Sequence, residues 1–477
     1  MKRTKIVCTI GPATESKEII EKLIKGGMNV ARLNFSHGTY EHHEKLIKNI
    51  REIAQKLEMP VAIMQDLQGP RIRVGKLPEE GVKLKPKTVI TLTTNLKKKE
   101  SSKIPVTYTE LHKDLKAKDK ILLVDGLIEL EVLKITGKDI ITRVIRGGLI
   151  TSHKGINLPV TTIALSSITE KDKKDLYFGV KQKVDLVALS FVTSAKDVYD
   201  LRYLIKEYEK KLEIKNETPI QIICKIEKHE AVKNFNEILE ATDGIMVARG
   251  DLGIEMPPQD VPLIQKGLID KCLKKAKPVI VATQMLDSMI RNPRPTRAEV
   301  SDVANAVIDH TDAVMLSGET ATGRYPAESV EIMTKIIKKT EKSVYDDLEA
   351  RKFFKKIIAV DVAISNVANI LATSIKAKAI LVASLTGYTG RVVSRYRPEL
   401  PILVATSNER VQRQLNLSWG VVPFVLPTCR SVEELIDRSI GYIKKKKITK
   451  EGDKIIIIAG QPVGRSGNVN LVKIHEI

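Results

Sequence analysis

Polar side chains recur at one end of several short apolar runs of the sequence, and their types suit acid–base, metal or anion chemistry. They are Arg32, Asn34, Ser36, Asp66, Lys225, Glu227, Arg249, Asp251, Thr283, Ser317 and Glu319. Residues spaced by two in a β-strand point to the same face, as Lys225 and Glu227 would. A polar residue in an apolar strand is costly unless it is paired or functional. One such residue is compatible with a satisfied core group, but repetition at the ends of six runs predicts a shared active site.

Two of these residues, Glu227 and Asp251, are candidate metal ligands. Hard carboxylate oxygens that leave room for water and substrate suit Mg²⁺ or Mn²⁺. The alternative is a pair of salt bridges, with Lys225 and Arg249 as the cationic partners. The two interpretations are compatible with each other.

The basic residues near these carboxylates are suited to an anionic substrate. Lys225 supplies a point charge for an oxyanion or a transferring phosphoryl group, and Arg32 and Arg73 supply planar donors for phosphate oxygens. The glycine-rich turn at 249–253 would let backbone N–H groups approach a carboxylate. Together these residues predict a site for a phosphorylated carboxylic acid held on a divalent metal.

The elements that must position these residues are short apolar runs alternating with helical patterns. The runs are Lys5–Ile10, Asn29–Phe35, Val61–Leu67, Asp185–Phe191, Gln221–Glu227, Gly244–Arg249, Pro278–Met285 and Asp312–Leu316. Regular alternation of strands and helices indicates a parallel sheet with right-handed crossovers. Eight such units, apolar on both strand faces, favour a closed (β/α)₈ TIM barrel over an open doubly wound sheet. In that barrel, catalytic groups lie at the carboxyl ends of the strands.

Two stretches interrupt or follow the barrel pattern. Residues 69–165 contain strand-like pieces separated by Gly, Lys and Asp, which predicts a small inserted β-barrel domain, a lid over the catalytic face. After a charged stretch, four apolar runs with intervening helices predict a C-terminal α/β regulatory domain at 346–477. The barrel is then expected in two parts, at 1–68 and 166–345.

Composition narrows the class of protein. The 79 Lys and Arg residues exceed the 58 Asp and Glu residues by 21, so the surface attracts anions. The lysine runs lack interleaved aromatic residues, so a solvated surface is favoured over a nucleic-acid interface. Four widely spaced cysteines suit a reducing cytoplasm. We found no membrane span and no signal-peptide pattern, and therefore expect a cytoplasmic protein with neither nucleic acid nor membrane as partner.

Long segments around the same residues resemble those of pyruvate kinases along nearly the whole chain. They include TKIVCTIGPAT (4–14), MNVARLNFSHG (28–38), DLQGPRIRVG (66–75), KGINLP (154–159), CKIEKHEAV (224–232), DGIMVARGDLGIE (243–255), VATQMLDSM (281–289), RPTRAEVSDVANAV (294–307) and MLSGETATGRYP (315–326). The resemblance implies phosphoryl transfer from phosphoenolpyruvate to ADP, giving ATP and pyruvate.

The resemblance also implies roles for individual residues. Glu227 and Asp251 would bind Mg²⁺ or Mn²⁺, and Lys225 would stabilise the phosphoryl group and the enolate. Arg32 and Arg73 would bind the phosphoryl group, and Gly250 and Asp251 would bind the substrate carboxylate. The enolate would be protonated near Thr283, with Ser317 and Glu319 in the proton relay. The nucleotide would be bound by Pro12, Asn34, His37 and Arg73.

One segment departs from the pattern of family members that require K⁺. The K⁺ ligands of those members would map to Asn34, Ser36, Asp66 and the backbone of Leu67. Where they carry a glutamate, this chain has Arg71. A fixed guanidinium could replace the bound cation and would repel K⁺, by about 3 kcal/mol at about 5 Å and an effective dielectric of about 20. We therefore predict activity without K⁺; the alternative is that Arg71 points to solvent and K⁺ still binds.

A loop of the C-terminal stretch resembles the effector loop of the family. Its residues are Ser384, Thr386, Gly387, Thr389, Gly390 and Arg391. Such a loop can hold a phosphate through backbone N–H groups, although an ordinary strand-to-helix turn is the alternative. The resemblance implies a phosphorylated effector of unspecified identity and a homotetramer.

Two other functions are alternatives for the same residues. A metal-dependent barrel lyase acting on phosphoenolpyruvate or pyruvate would share the carboxylates and the enolate. It would need neither the insertion at 69–165 nor the C-terminal stretch. A catalytically inactive anion-binding protein is disfavoured because every polar strand-end residue is present.

Overall fold

The computed structural model describes residues 1–96, 102–159, 166–215, 218–348, 359–461 and 467–477. Its first elements are β1 (Lys5–Ile10), a 3₁₀ turn (Pro12–Thr14), α1 (Lys17–Gly26), β2 (Val30–Asn34), α2 (Tyr40–Lys56) and β3 (Ala62–Asp66). The Ser16 side chain caps α1 by accepting from the Ile19 N–H, and the buried face of this helix packs on the strands. These elements confirm the first three predicted runs and the helices between them.

A β-rich segment follows β3. It contains β4 (Val82–Leu84), β5 (Val89–Thr93), β6 (Lys103–Pro105), α3 (Leu111–Asp114), β7 (Lys120–Leu123), β8 (Ile128–Thr136), β9 (Asp139–Arg146), β10 (Gly148–Ile150) and β11 (Ile156–Asn157). Six strands form one sheet in the order β11-β7-β8-β9-β5-β6, and β10 pairs with β4. We call residues 82–157 the inserted β segment; its buried apolar residues form a core separate from that of the barrel.

Alternating helices and strands resume after the inserted β segment. They are α4 (Glu170–Lys181), β12 (Leu186–Leu189), α5 (Ala195–Lys211), β13 (Gln221–Ile226), α6 (His229–Lys233), α7 (Phe235–Ala241), β14 (Gly244–Ala248), α8 (Arg249–Glu255), α9 (Val261–Lys274), β15 (Val279–Ala282), a 3₁₀ turn (Asp287–Ile290), α10 (Arg297–Ile308), β16 (Ala313–Leu316), α11 (Gly318–Ala321), α12 (Pro326–Thr340) and a 3₁₀ turn (Val344–Asp346).

Eight parallel strands close into a barrel in the order β1-β16-β15-β14-β13-β12-β3-β2. Closure is made by β1, which pairs with β16 on one side and β2 on the other. The closed barrel was therefore the right choice over the open sheet. All strand residues of β12, β14, β15 and β16 are buried, because side chains fill the interior and helices cover the outside.

The C-terminal part is an α/β unit, as predicted. It contains α13 (Val360–Ser374), β17 (Ala379–Ala383), α14 (Tyr388–Ser394), β18 (Ile402–Thr406), α15 (Glu409–Leu415), β19 (Val421–Val425), α16 (Val432–Lys445), β20 (Lys454–Ala459) and β21 (Leu471–Glu476). The strand order is β19-β18-β17-β20-β21, with β21 antiparallel to β20. The four predicted apolar runs became β17 to β20, and β21 was not predicted.

The C-terminal unit packs against the amino-terminal end of the barrel, opposite the carboxyl ends of its strands. Asp312, just before β16, accepts from the Trp419 N–H at 3.0 Å and from the Arg397 guanidinium at 3.1 Å. Asp185, just before β12, accepts from Nε of Arg413 at 2.8 Å. Leu417 packs into the interior barrel core. These contacts leave the carboxyl ends of the barrel strands free for substrate. Within the described ranges, no helix has both the length and the apolar character needed to cross a membrane.

Candidate active site

A buried network of alternating charges lies at the carboxyl ends of β2, β3 and β13. Nε of Arg32 donates to Asp66 at 2.6 Å, and its Nη1 donates to Thr9 at 2.8 Å. Nζ of Lys225 lies 3.5 Å from the other Asp66 oxygen and 2.8 Å from Oε1 of Glu227. Asp66 therefore links the two cations, and Glu227 is held by the second. The structure brings these four predicted site residues into direct contact.

Ser190 belongs to this network and was not predicted. It follows β12, and its hydroxyl accepts from Nζ of Lys225 at 2.8 Å and lies 2.7 Å from the Leu67 carbonyl. The next residue, Phe191, has φ of 55° and donates its N–H to Glu227 at 2.7 Å. A positive φ in a bulky residue is strained, and such strain clusters at functional sites. The strand-end rule applied to the run Asp185–Phe191 would have found Ser190.

The pKa values in this network follow from burial and charge. Burial alone would raise the pKa of Asp66, but Lys225 and Arg32 outweigh it and hold the pKa below the usual value. Burial opposes the charge on Lys225, yet Asp66 and Glu227 hold its pKa above the usual value. Burial raises the pKa of Glu227; the Lys225 ammonium opposes this shift and the charge of Asp251 adds to it, so the pKa lies above the usual value. Burial thus disfavours the ionised form of Glu227 even with Lys225 beside it.

The second candidate ligand, Asp251, lies in the first turn of α8, beside the end of β15. The Gly250 N–H donates to the Thr283 hydroxyl at 2.8 Å, and that hydroxyl lies 2.6 Å from the Ala282 carbonyl. Thr283 has φ of 71°, a second strained residue at a strand end. Gly250, Asp251 and Thr283 are therefore held together at the cleft.

The alternative in which Glu227 and Asp251 form salt bridges is confirmed for one of the two pairs. Lys225 pairs with Glu227, as described above. Arg249 instead makes a two-pronged contact with Asp302 on α10, at 2.6 and 2.7 Å, and donates to the Thr283 carbonyl at 2.7 Å. The predicted partnership of Arg249 with Asp251 was wrong, because α8 directs the guanidinium towards α10.

Glu319 and Ser317 both follow β16, and the Glu319 carboxylate holds the backbone of Ser317. The two carboxylate oxygens of Glu319 accept from the Leu286 N–H at 3.0 Å and the Ser317 N–H at 2.7 Å. Burial raises the pKa of Glu319 against the effect of these donors. Glu319 thereby fixes the loops that follow β15 and β16.

The donor set of this site fits a hard divalent cation. Glu227 and Asp251 supply carboxylate oxygens. Among the described residues, no group of three or more His, Cys, Asp or Glu side chains is placed to hold a metal ion. The protein alone would therefore not complete the coordination shell. Mg²⁺ commonly binds through one or two carboxylates and completes its shell with water and substrate oxygens. Burial raises the pKa of Glu227, and a cation bound there would favour the ionised form.

Two arginines border the cleft from the segment after β3. Arg71 is exposed, lies over the Phe191 ring at 5.9 Å and lines a cavity of about 950 Å³ with Gly250 and Asp251. Arg73 lies further along and donates to the His153 carbonyl at 3.3 Å. Arg71 thus faces both the cleft and solvent, while Arg73 lies against the inserted β segment.

The predicted nucleotide and K⁺ residues lie at the ends of β2 and β3 and on the segments that follow β1, β2 and β3. Pro12 and His37 are exposed there, which suits contact with a ligand. The Asn34 side chain accepts from the Ser36 N–H at 3.1 Å. Asn34 and Asp66 are register partners on neighbouring strands. These residues therefore share the catalytic end of the barrel.

The predicted effector loop lies in the C-terminal unit, far from the barrel cleft. Ser384, Thr386 and Thr389 line a cavity of about 210 Å³, together with Gly460 and Gly467. Gly387 has φ of 76° and begins α14, and Gly390 packs closely on β18. Arg391 lines a different, smaller gap beside Arg395 and Arg397. Residues 462–466 of the neighbouring loop lie outside the described residues.

A closed parallel barrel with cationic and carboxylate groups at the carboxyl ends of its strands is typical of a barrel enzyme acting on an anionic substrate. Residues 1–330 match the family model described as pyruvate kinase, barrel domain, and residues 362–475 match that described as pyruvate kinase, alpha/beta domain. The chain belongs to the pyruvate kinase family.

Individual relatives agree with this assignment. Pyruvate kinases of Geobacillus stearothermophilus and Sporosarcina psychrophila are 47% and 45% identical over 100% of this chain, covering 80% and 81% of their own lengths. The crystal structure of a pyruvate kinase from Cryptosporidium parvum matches with a TM-score of 0.93 at 38% identity, over 100% of this chain and 96% of that one. The chain is therefore a phosphotransferase that uses phosphoenolpyruvate and ADP, and the lyase alternative is not supported.

Proposed function

We propose that phosphoryl transfer from phosphoenolpyruvate to ADP takes place at the network formed by Arg32, Asp66, Lys225 and Glu227. The observation that supports this most is the position of Lys225, a buried ammonium that contacts both Glu227 and Asp66 and whose pKa is held high by these two carboxylates. Phosphoryl transfer depends on positioning and charge stabilisation more than on covalent chemistry. A fixed cation in a buried site provides that stabilisation without reorganisation.

The metal ligands would be Glu227 and Asp251, with Mg²⁺ or Mn²⁺ as the ion. When bound, the ion would neutralise charge on the substrate carboxylate and the phosphoryl oxygens. Gly250 and Asp251 lie at the first turn of α8, where backbone N–H groups can meet the substrate carboxylate. Arg32 would hold the phosphoryl oxygens, because Asp66 and Thr9 fix its guanidinium in one orientation.

The second half of the reaction is protonation of the enolate. Thr283 is held by the Gly250 N–H, so its hydroxyl has a fixed position on one face of the cleft. Ser317 follows β16, and Glu319 fixes the Ser317 backbone. We propose that Thr283 marks the protonated face and that Ser317 belongs to the proton relay. Glu319 would act by holding Ser317 in place.

We propose that the reaction does not require K⁺. Arg71 lines the same cleft as Asp251 and stacks on Phe191, whose N–H holds Glu227. A guanidinium there would add a permanent positive charge at the border of the cleft and would replace the K⁺ predicted at Asn34, Ser36, Asp66 and Leu67. The matched test is Arg71→Glu, which should introduce dependence on K⁺. Turnover would be compared in K⁺ and Na⁺ at constant ionic strength, and a clear K⁺ requirement in the unaltered protein would overturn this proposal.

The remaining assignments rest on position and resemblance. Pro12, Asn34, His37 and Arg73 would contact the nucleotide, and the inserted β segment would act as a lid over the cleft. The domain division at 1–68, 69–165, 166–345 and 346–477 is retained as a prediction. We further propose a phosphorylated effector at the C-terminal cavity, a homotetramer, and a cytoplasmic location, in line with four free cysteines.

The experiment that tests the site measures pyruvate and ATP formation with Mg²⁺ in Glu227→Gln and Asp251→Asn variants. Both should lower kcat by at least about 100-fold and weaken Mn²⁺ binding measured separately by titration. Glu240→Gln is the matched control, because Glu240 pairs with Lys275 on the surface. Unchanged Mn²⁺ affinity in both site variants would overturn the metal assignment.

A further inference from the structure

Two parts of the inserted β segment meet helix α8. Nδ2 of Asn157, in β11, donates to Oε1 of Glu255, the last residue of α8, at 3.4 Å. In the turn between β7 and β8, Gly126 faces α8, since a Cβ added to this glycine would lie 3.7 Å from the Ile254 side chain. Because β11 pairs with β7, Asn157 and the turn that carries Gly126 belong to one sheet. The inserted β segment therefore rests on the carboxyl-terminal end of α8.

The amino-terminal end of the same helix carries the proposed metal and carboxylate site. Asp251 and Glu255 are four residues apart, so they lie on one face of α8, separated by about one helical turn. The Gly250 N–H ties the first turn to Thr283. A force on Glu255 therefore reaches Asp251 through a single rigid turn of helix.

Glu255 is suited to a contact that responds to the position of the inserted β segment. The residue is 7% exposed, and burial raises its pKa against the effects of Lys228, Asn157 and His229, with Glu230 raising it further. His229 approaches it only at 3.9 Å, and this histidine lies nearer to Glu230, at 3.1 Å. The contact with Asn157 is long for a hydrogen bond, at 3.4 Å, so a small movement of either partner changes its strength.

We infer that Asn157 and Glu255 form a latch through which the inserted β segment positions α8, with Glu255 as a positioning residue for Asp251. The inference rests on the proposed site, in which Asp251 is a metal ligand. Movement of the inserted β segment over the cleft shortens the latch and sets the orientation of Asp251. The same movement excludes water, so a broken latch lets water compete with ADP for the phosphoryl group.

The test exchanges the chemical groups of the latch. Asn157→Asp places a carboxylate against the Glu255 carboxylate, and Glu255→Gln combined with it restores an amide–carboxylate hydrogen bond in the reverse direction. The single Asn157→Asp variant should lower kcat about tenfold, weaken Mn²⁺ binding severalfold, and raise the fraction of pyruvate formed without ATP. The double variant should recover kcat to within about threefold and restore the ATP-to-pyruvate ratio. Glu129→Gln is the control, because Glu129 pairs with Arg146 within the inserted β segment.

Two outcomes would overturn the latch. One is a double variant no better than Asn157→Asp alone. The other is a fall in thermal stability with kcat, Mn²⁺ affinity and the ATP-to-pyruvate ratio unchanged. If Asn157→Asp does not fold, Asn157→Ala takes its place. If the latch exists, adding Glu255→Ala to Asn157→Ala should then lower kcat little further. Failure of the proposed metal site is recognised separately, by unchanged Mn²⁺ affinity in Asp251→Asn.

Discussion

Replacing Lys225 with methionine removes the one ammonium that joins both buried carboxylates of the site. Its Nζ lies 2.8 Å from Glu227, 3.5 Å from Asp66 and 2.8 Å from the Ser190 hydroxyl. Methionine keeps much of the side-chain volume, so the barrel stays filled. The variant therefore isolates the loss of charge.

The structure indicates how large the effects should be. At an effective dielectric of about 20, the attractions of Lys225 to Glu227 and Asp66 amount to about 6 and about 5 kcal/mol. Much of this offsets desolvation, and breaking a buried pair costs about 3–5 kcal/mol. Arg32 still neutralises Asp66, and Glu227, whose pKa is already raised, can take up a proton. We therefore expect a stability loss near the lower end, about 3 kcal/mol, and a fall in kcat of about 100- to 1,000-fold.

The assay follows pyruvate and ATP formation under saturating Mg²⁺, with chemical denaturation in parallel. Lys5→Met is the matched control, because Lys5 is also a buried barrel lysine but lies at the opposite end, donating to the Val421 carbonyl at 2.7 Å. The control should be folded and active. Turnover of Lys225→Met within tenfold of the unaltered protein would refute the reasoning, and equal losses in both variants would point to general damage.

Three further outcomes are expected. Thr283→Ala leaves the Gly250 N–H without its acceptor, so kcat should fall about tenfold while Thr283→Ser restores it; equal loss in both variants would contradict the role of the hydroxyl. Asp302→Asn removes the charged partner of Arg249 and should raise KM for phosphoenolpyruvate severalfold through the displaced α8 turn; an unchanged KM would oppose this. Burial lowers the pKa of Lys5 from 10.5 to about 8. Between these pH values the unfolded chain binds one more proton than the folded chain, so the free energy of unfolding should rise as the pH rises. Denaturation curves of Lys5→Met should lack this rise.

The barrel was predictable because its signal is local and repeated. Each β-strand is a short apolar run bounded by a helix, and closure follows from eight such units. The edge strands β6, β11 and β21 were not predicted because they are short or lack a continuous apolar run. Their pairing depends on the sheets beside them, which sequence periodicity does not describe.

The site was predictable where its residues share a strand and not where they meet across the fold. Lys225 and Glu227 are two residues apart, so their common orientation follows from strand geometry. The partner of Arg249 is Asp302, 53 residues away, and the choice between Asp251 and Asp302 depends on how α8 and α10 lie. The contact of Asn157 with Glu255 spans 98 residues and joins two structural units, so no local pattern reveals it.

The charges of the site explain why cations must be added to a network that is already paired. Arg32 and Lys225 together cancel Asp66 and Glu227, and Asp251 leaves one carboxylate in excess. An anionic substrate would therefore meet no net attraction from the buried groups alone. In the proposed site, positive charge for the substrate would come from a divalent ion at the two carboxylates and from Arg71 at the border of the cleft. Under the proposal that the reaction does not require K⁺, Arg71 would supply the permanent charge that a bound monovalent cation supplies otherwise.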